Sequence, residues 1–185
     1  TKSPYVALYF AASQYFHGKS TIKDGAIYAF MHHNLYVASI RNIQKRSKLE
    51  FDINWLNRFV KRENKVFDEV FYNHRDDVAL IVEPFKFNKR HYAQQGLFLI
   101  SNFNNKSTEQ IIEDLLQQNL PADSNEPTLV KIKINGKWKK EILKRLDRMN
   151  INSSTLFPGI DGFSKYLSEK NNYSDVFDQN DMHGY

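Results

Sequence analysis

Cysteine is missing altogether from these 185 residues. That excludes a disulfide framework, a thiolate zinc site and a cysteine nucleophile, and it fits a cytoplasmic setting without requiring one. No run of about 18 apolar residues is present, so no membrane-spanning helix is expected. No basic start followed by an apolar stretch marks a signal peptide. The seven glycines form no phosphate-cradling loop, and neither His-Glu-x-x-His nor Gly-x-Ser-x-Gly occurs. His32 and His33 are adjacent in a β-prone run, which would point them to opposite faces; no metal site is expected. The initiating Met is also absent, and the chain opens on what reads as a helix cap, as a fragment with sequence upstream would.

What remains is enough for a core. Apolar residues make up 41% of the chain and aromatics 14%, with 14 Phe and 10 Tyr, which suits a Phe-rich interior. The net charge of +5 sits in separate clusters, Lys45 to Lys48, Arg58 to Arg62 and Lys137 to Arg148. Such an excess reads first as an ordinary solvated surface, and it is also compatible with a polyanionic partner.

Element signals are local. Ser3-Pro4, the apolar run to His17 and then Gly18 predict a helix, capped by Ser3 and apolar on nearly every face, hence buried. Ala26 to His33, Val78 to Glu83, Gly96 to Ser101 and Thr128 to Ile134 predict strands, and Asn54 to Lys61 a short helix. Ser107 and Gln110 make a capping box that opens a helix to about Asn119. Trp138 to Met149 predicts an amphipathic helix with Ile142, Leu143, Leu146 and Met149 inward and Lys139 outward. A helix from Gly162 to Lys170 follows, and residues 171–185 form a polar tail. The fold class expected is α+β, with mixed or antiparallel sheets forming a cleft and flanking helices.

Two blocks break these patterns. Arg90-His-Tyr-Ala-Gln-Gln-Gly-Leu-Phe98 places a cation, two amides and a glycine beside a strand. Gln94 and Gln95 each offer amide donors and a carbonyl, Gly96 permits close backbone approach, and such a set can hold a ribose, a base edge or a phosphate. The bland alternative is an Arg90 ion pair with the glutamines fastening a loop. The second block, Thr155-Leu-Phe-Pro-Gly-Ile-Asp-Gly-Phe163, reads as a turn with anchors and a helix cap at Asp161.

The first block resembles the Arg-x-x-Ala-Gln-Gln-Gly-Leu-Phe segment of FRG-domain proteins. Glu141-Ile-Leu143, Leu146, Asn150-Ile-Asn152 and the second block are similar to that family's closing signature. Thr1 to Ala11 and Asp24 to Tyr28 resemble its earlier segments, so residues 1–170 look like the C-terminal part of an FRG domain. The Phe-Arg-Gly motif itself is not in this chain, and the resemblance implies an upstream segment as partner. A weaker similarity joins Thr1-x-Ser3 and Ala7-Leu-Tyr-Phe-Ala11 to ADP-ribosyltransferases. It implies an ADP-ribosyltransferase-like fold and an NAD-using toxin or bacterial defence effector acting on a protein or nucleic-acid target. It also implies Thr1, Ser3, Tyr9, Arg90 and Gly96 as cofactor-binding residues and Gln94 and Gln95 as the catalytic pair. The alternative is a non-catalytic nucleotide or nucleic-acid binding module, since amides stand where that chemistry wants a carboxylate.

Overall fold

The structure is a computed structural model. It describes residues 1–13, 23–46, 71, 76–83, 88–102, 105–118 and 129–174. In chain order the elements are α1 (Pro4–Ala12), β1 (Gly25–Phe30), α2 (His32–Arg46), β2 (Ala79–Val82), α3 (Lys89–Gln94) and β3 (Phe98–Ser101). These are followed by α4 (Thr108–Gln117), β4 (Leu129–Ile134), a 3-10 turn (Gly136–Trp138), α5 (Lys139–Arg148), α6 (Ser153–Leu156) and α7 (Ile160–Ser174). β1 pairs with β4, and β2 pairs with β3. The class is therefore α+β with small sheets. The expected helix at Asn54 to Lys61, the end of the first helix beyond Ser13 and the tail beyond Ser174 lie outside the described residues.

The chain divides into two compact units. One comprises Thr1–Tyr28, Pro84–Leu97 and Lys131–Tyr185; the other comprises Ala29–Glu83 and Phe98–Val130.

In the first unit, Ser3 accepts a hydrogen bond from Val6 N (3.3 Å) and Pro4 takes the first helical position, where its missing N–H is no loss. Val6, Tyr9 and Ala12 then fall on one stripe and pack against Leu143, Leu146 and Leu156. α1 is not buried all round as predicted: Tyr5 and Phe10 lie on an open face. A helix uniformly apolar in sequence has nothing in its pattern to say which face stays bare.

α5 forms as expected, with two corrections. Lys139, expected outside, is 1% exposed, and Met149, expected inside, is half exposed. The second has a local cause. Asn150 is left-handed (φ 60°) and Ile151 N donates to Leu146 O (2.8 Å). The chain turns back, and Ile151 packs against the core in the place the stripe gave to Met149. α6 is opened by Asn152, which accepts from Ser154 N and Thr155 N. A Cβ on Gly162 would collide with the carbonyl oxygen of Phe157, so the start of α7 can approach α6 only as glycine.

In the second unit, Leu35, Ala38, Ala79, Ile111, Ile112, Leu115 and Leu116 form one cluster, and Ile43, Phe71, Val78 and Leu80 another. β2 and β3 are antiparallel, Ala79 opposite Ser101 and Val82 opposite Phe98. The capping box at Ser107 is present as predicted. The strand predicted to reach His33 ends at Phe30, and His32 and His33 instead begin α2. Neighbours on a helix also point apart, so the two histidines share no ligand there either.

Candidate functional site

In the first unit, β1 begins very close to α1. A side chain at Gly25 would strike the carbonyl of Ala11, so this contact requires glycine. From that point α1 and β1 wall an open cleft of about 600 Å³ lined by Thr1, Ala7, Phe10, Asp24, Ile27 and Tyr28 among others. Its aromatic walls are the exposed faces of Phe10 and Tyr28.

Asp24 is the charged group on this cleft. Oδ1 accepts from Gly136 N (2.8 Å), and Oδ2 pairs with Lys133 Nζ (2.9 Å). These bonds, the backbone one foremost, hold its carboxyl below the usual range, so it is ionised at neutral pH. Lys131 Nζ lies 4.8 Å from the centre of the Tyr28 ring.

The rim at Thr1 is fastened to α3. Thr1 Oγ1 donates to Gln94 O (2.7 Å) and accepts from Ser3 N (3.1 Å), and Lys2 N donates to Gln95 O (3.0 Å). Gln94 Nε2 donates to Leu156 O (2.9 Å), joining α3 to α6. The Arg90 guanidinium stands 4.8 Å and Lys165 Nζ 5.1 Å from the centre of the Phe157 ring. Phe157 in turn packs edge-on against Phe10.

The residues singled out in sequence thus fall into three groups. Thr1, Ser3, Arg90, Gln94 and Gln95 come into one hydrogen-bonded and packed neighbourhood, although Thr1 and Gln94 lie 93 positions apart. Within it only Thr1 lines the cleft. The Ser3 hydroxyl caps α1, and the Gln94 amide ties α3 to the end of α6. Gly96 is not the special backbone position: Gln95 takes the left-handed conformation (φ 46°) that closes α3, and Gly96 N simply donates to His91 O. Tyr9 belongs to the core rather than to a wall, at 1% exposure. It alternates with the cleft-facing Phe10, and a uniformly apolar run does not distinguish the two.

Phe10, Tyr28 and Asp24 were not foreseen as site residues. Asp-Gly is a turn dipeptide, and nothing local tells a turn aspartate from one at a cleft. Glu169 was not foreseen either. It is buried on α7, with Oε2 accepting from Ser153 Oγ (2.6 Å) and Lys165 Nζ 3.7 Å from Oε1. The Tyr9 hydroxyl lies near Ser153 and Glu169 without a well-formed hydrogen bond. Burial, then the Glu169 charge, pushes its ionisation up.

Among the described residues no three His, Asp or Glu side chains are grouped to hold a metal ion, and no helix is long and apolar enough to cross a membrane. No protein-family model, curated protein or solved structure matches the chain.

Proposed function

We propose that the cleft between α1 and β1 binds a nucleotide of the NAD type, as part of an FRG-type module. The carrying observation is the cleft itself: about 600 Å³, with aromatic faces, a hydroxyl and an ionised carboxylate on its lining. That size is in the range of small-molecule sites, roughly 300–1,000 Å³. Phe10 and Tyr28 offer apolar faces to a planar ring, and Thr1 and Asp24 offer partners to ribose hydroxyls.

The same placement supports an ADP-ribosyltransferase-like step, in a toxin or defence effector with a protein or nucleic-acid target. In that step the bond from the nicotinamide nitrogen to ribose C1′ breaks, and its electron pair leaves with nicotinamide. The cationic sugar is stabilised by the Asp24 carboxylate, a role the two amides fill poorly. A nucleophile of the target then bonds to C1′ and gives its proton to solvent. A second reading is binding without transfer. It is favoured by the Gln94 amide and the Ser3 hydroxyl, which are spent on Leu156 O and Val6 N.

Calorimetry with NAD, and label transfer from radiolabelled NAD to cell extract, test both. Heat with transfer, both reduced in Asp24→Asn, supports the enzyme. Heat without transfer supports the binding module, and no heat ends both.

A further inference from the structure

The positive charge of this chain is not evenly spread. Residues 131–148 carry eight Lys and Arg against two acids, a net of +6, while the whole chain nets +5. Everything outside that stretch is therefore close to neutral. The stretch runs from β4 through the 3-10 turn into α5, within the first unit.

Its surface pairs cations with open aromatic rings. Lys131 and Lys133 are two apart on β4 and so share a face. Lys131 reaches the Tyr28 ring and Lys133 reaches Asp24, which places Tyr28 on that face too. Just beyond, Lys137 Nζ is 5.5 Å from the centre of the Trp138 ring. Trp138 is 56% exposed, an uncommon position for the largest apolar side chain. Both acids of the stretch are occupied: Glu141 by Arg145 (2.8 Å), and Asp147 by Asn152 Nδ2 (2.8 Å).

We propose that this strip binds single-stranded nucleic acid, its cations following the phosphates and its two aromatics stacking bases. The inference goes beyond the cleft reading and does not rest on NAD binding. An acidic peptide would use the charge and leave the rings idle. A duplex keeps its base faces stacked inside, whereas a single strand presents both phosphate and open base to such a surface. The strand from Lys131 to Ile134 and the 3-10 turn to Trp138 together extend at most on the order of 20 Å, room for a few nucleotides.

The test is fluorescence anisotropy of the whole 185-residue chain with labelled 12-mers of oligothymidylate and oligouridylate. A 12-base-pair duplex and a polyglutamate peptide serve as comparisons, at 50 and 200 mM salt. Binding to a single strand is expected, weakening roughly 20- to 50-fold between the two salts if three to four phosphates are engaged. Trp138→Ala is expected to weaken it roughly tenfold through lost stacking. The pair Lys131→Ala and Lys137→Ala should flatten the salt dependence, whereas Lys45→Ala with Lys89→Ala, equal in charge change, should shift affinity less than about twofold. Circular dichroism checks that these surface variants keep the fold. Absence of binding at 50 mM salt, duplex or polyglutamate bound as tightly as the single strand, or Trp138→Ala binding unchanged would each overturn the proposal.

Discussion

Both units bury polar side chains, but among the described residues only the first leaves some of their atoms without a hydrogen-bond partner. In the second unit, the buried Ser39 hydroxyl donates to Ala79 O (2.7 Å) and accepts from Ala79 N (3.0 Å). Asn102 accepts from Val78 N (2.9 Å) and donates to Asp76 O (2.8 Å), and Asn42 donates to Asp77 O (2.9 Å). Each side chain fastens backbone beside a strand, and each is satisfied. In the first unit the Tyr9 hydroxyl and Glu169 Oε1 are buried without hydrogen-bond partners. Lys139 is buried as well, while Phe10, Tyr28 and Trp138 stand open. Satisfied polar groups are the rule in protein interiors, and departures collect where structure serves something besides stability. Among the described residues these departures gather in the first unit, which also holds the α1–β1 cleft.

The largest effects should come from the glycine contacts. Gly162→Ala sets a methyl group against the Phe157 carbonyl and is expected to cost about 3 kcal/mol or more, read as a lowered thermal midpoint. An unchanged midpoint would mean that α6 and α7 are not so closely packed. Next is a direct contrast of the two units. Ser39→Ala strands the N–H and C=O of Ala79 and should cost about 1–3 kcal/mol. Tyr9→Phe removes a hydroxyl that makes no good bond, and should cost less than about 0.5 kcal/mol or stabilise. Equal losses in urea melts would erase the distinction. Ser107→Ala removes the α4 cap and should cost about 1 kcal/mol.

The smallest effect is a pH dependence. The Asp24 carboxyl is lowered in the folded chain, so its bonds to Gly136 and Lys133 stabilise at pH above its ordinary value near about 4 and are lost as pH falls through the folded value. Asp24→Asn should therefore narrow the difference between melts at neutral pH and at about pH 3. A stability gain of the native chain on acidification would reverse the sign and refute the assignment.

Elements written in short-range chemistry were legible. The capping box named α4 and its stripe of Ile111, Ile112, Leu115 and Leu116, because cap and helix lie within ten residues. α5 was legible from its charge periodicity. α2 was not. No cap precedes His32, and the β-prone run continues through it, yet Leu35 and Ala38 bury against Ala79 and Ile43 against Val78 and Leu80. That packing partner is about 40 residues away and absent from any local window. The candidate site was half legible. The opening residues and the Arg90 block do meet through Thr1 and Gln94, a pairing expected from the similarity to ADP-ribosyltransferases and invisible to periodicity. The cleft itself needed the α1–β1 approach at Gly25, so Phe10, Tyr28 and Asp24 carried no local mark of it.

The most direct measurement is an NMR titration of the isotopically labelled whole chain with NAD, following backbone amides. Shifts confined to the cleft, at Ala7, Phe10, Gly25, Ile27 and Tyr28, and weakened in Asp24→Asn, are the predicted result. No shifts at millimolar NAD, or shifts gathered on α2 and α4 with the cleft silent, would contradict a nucleotide site between α1 and β1.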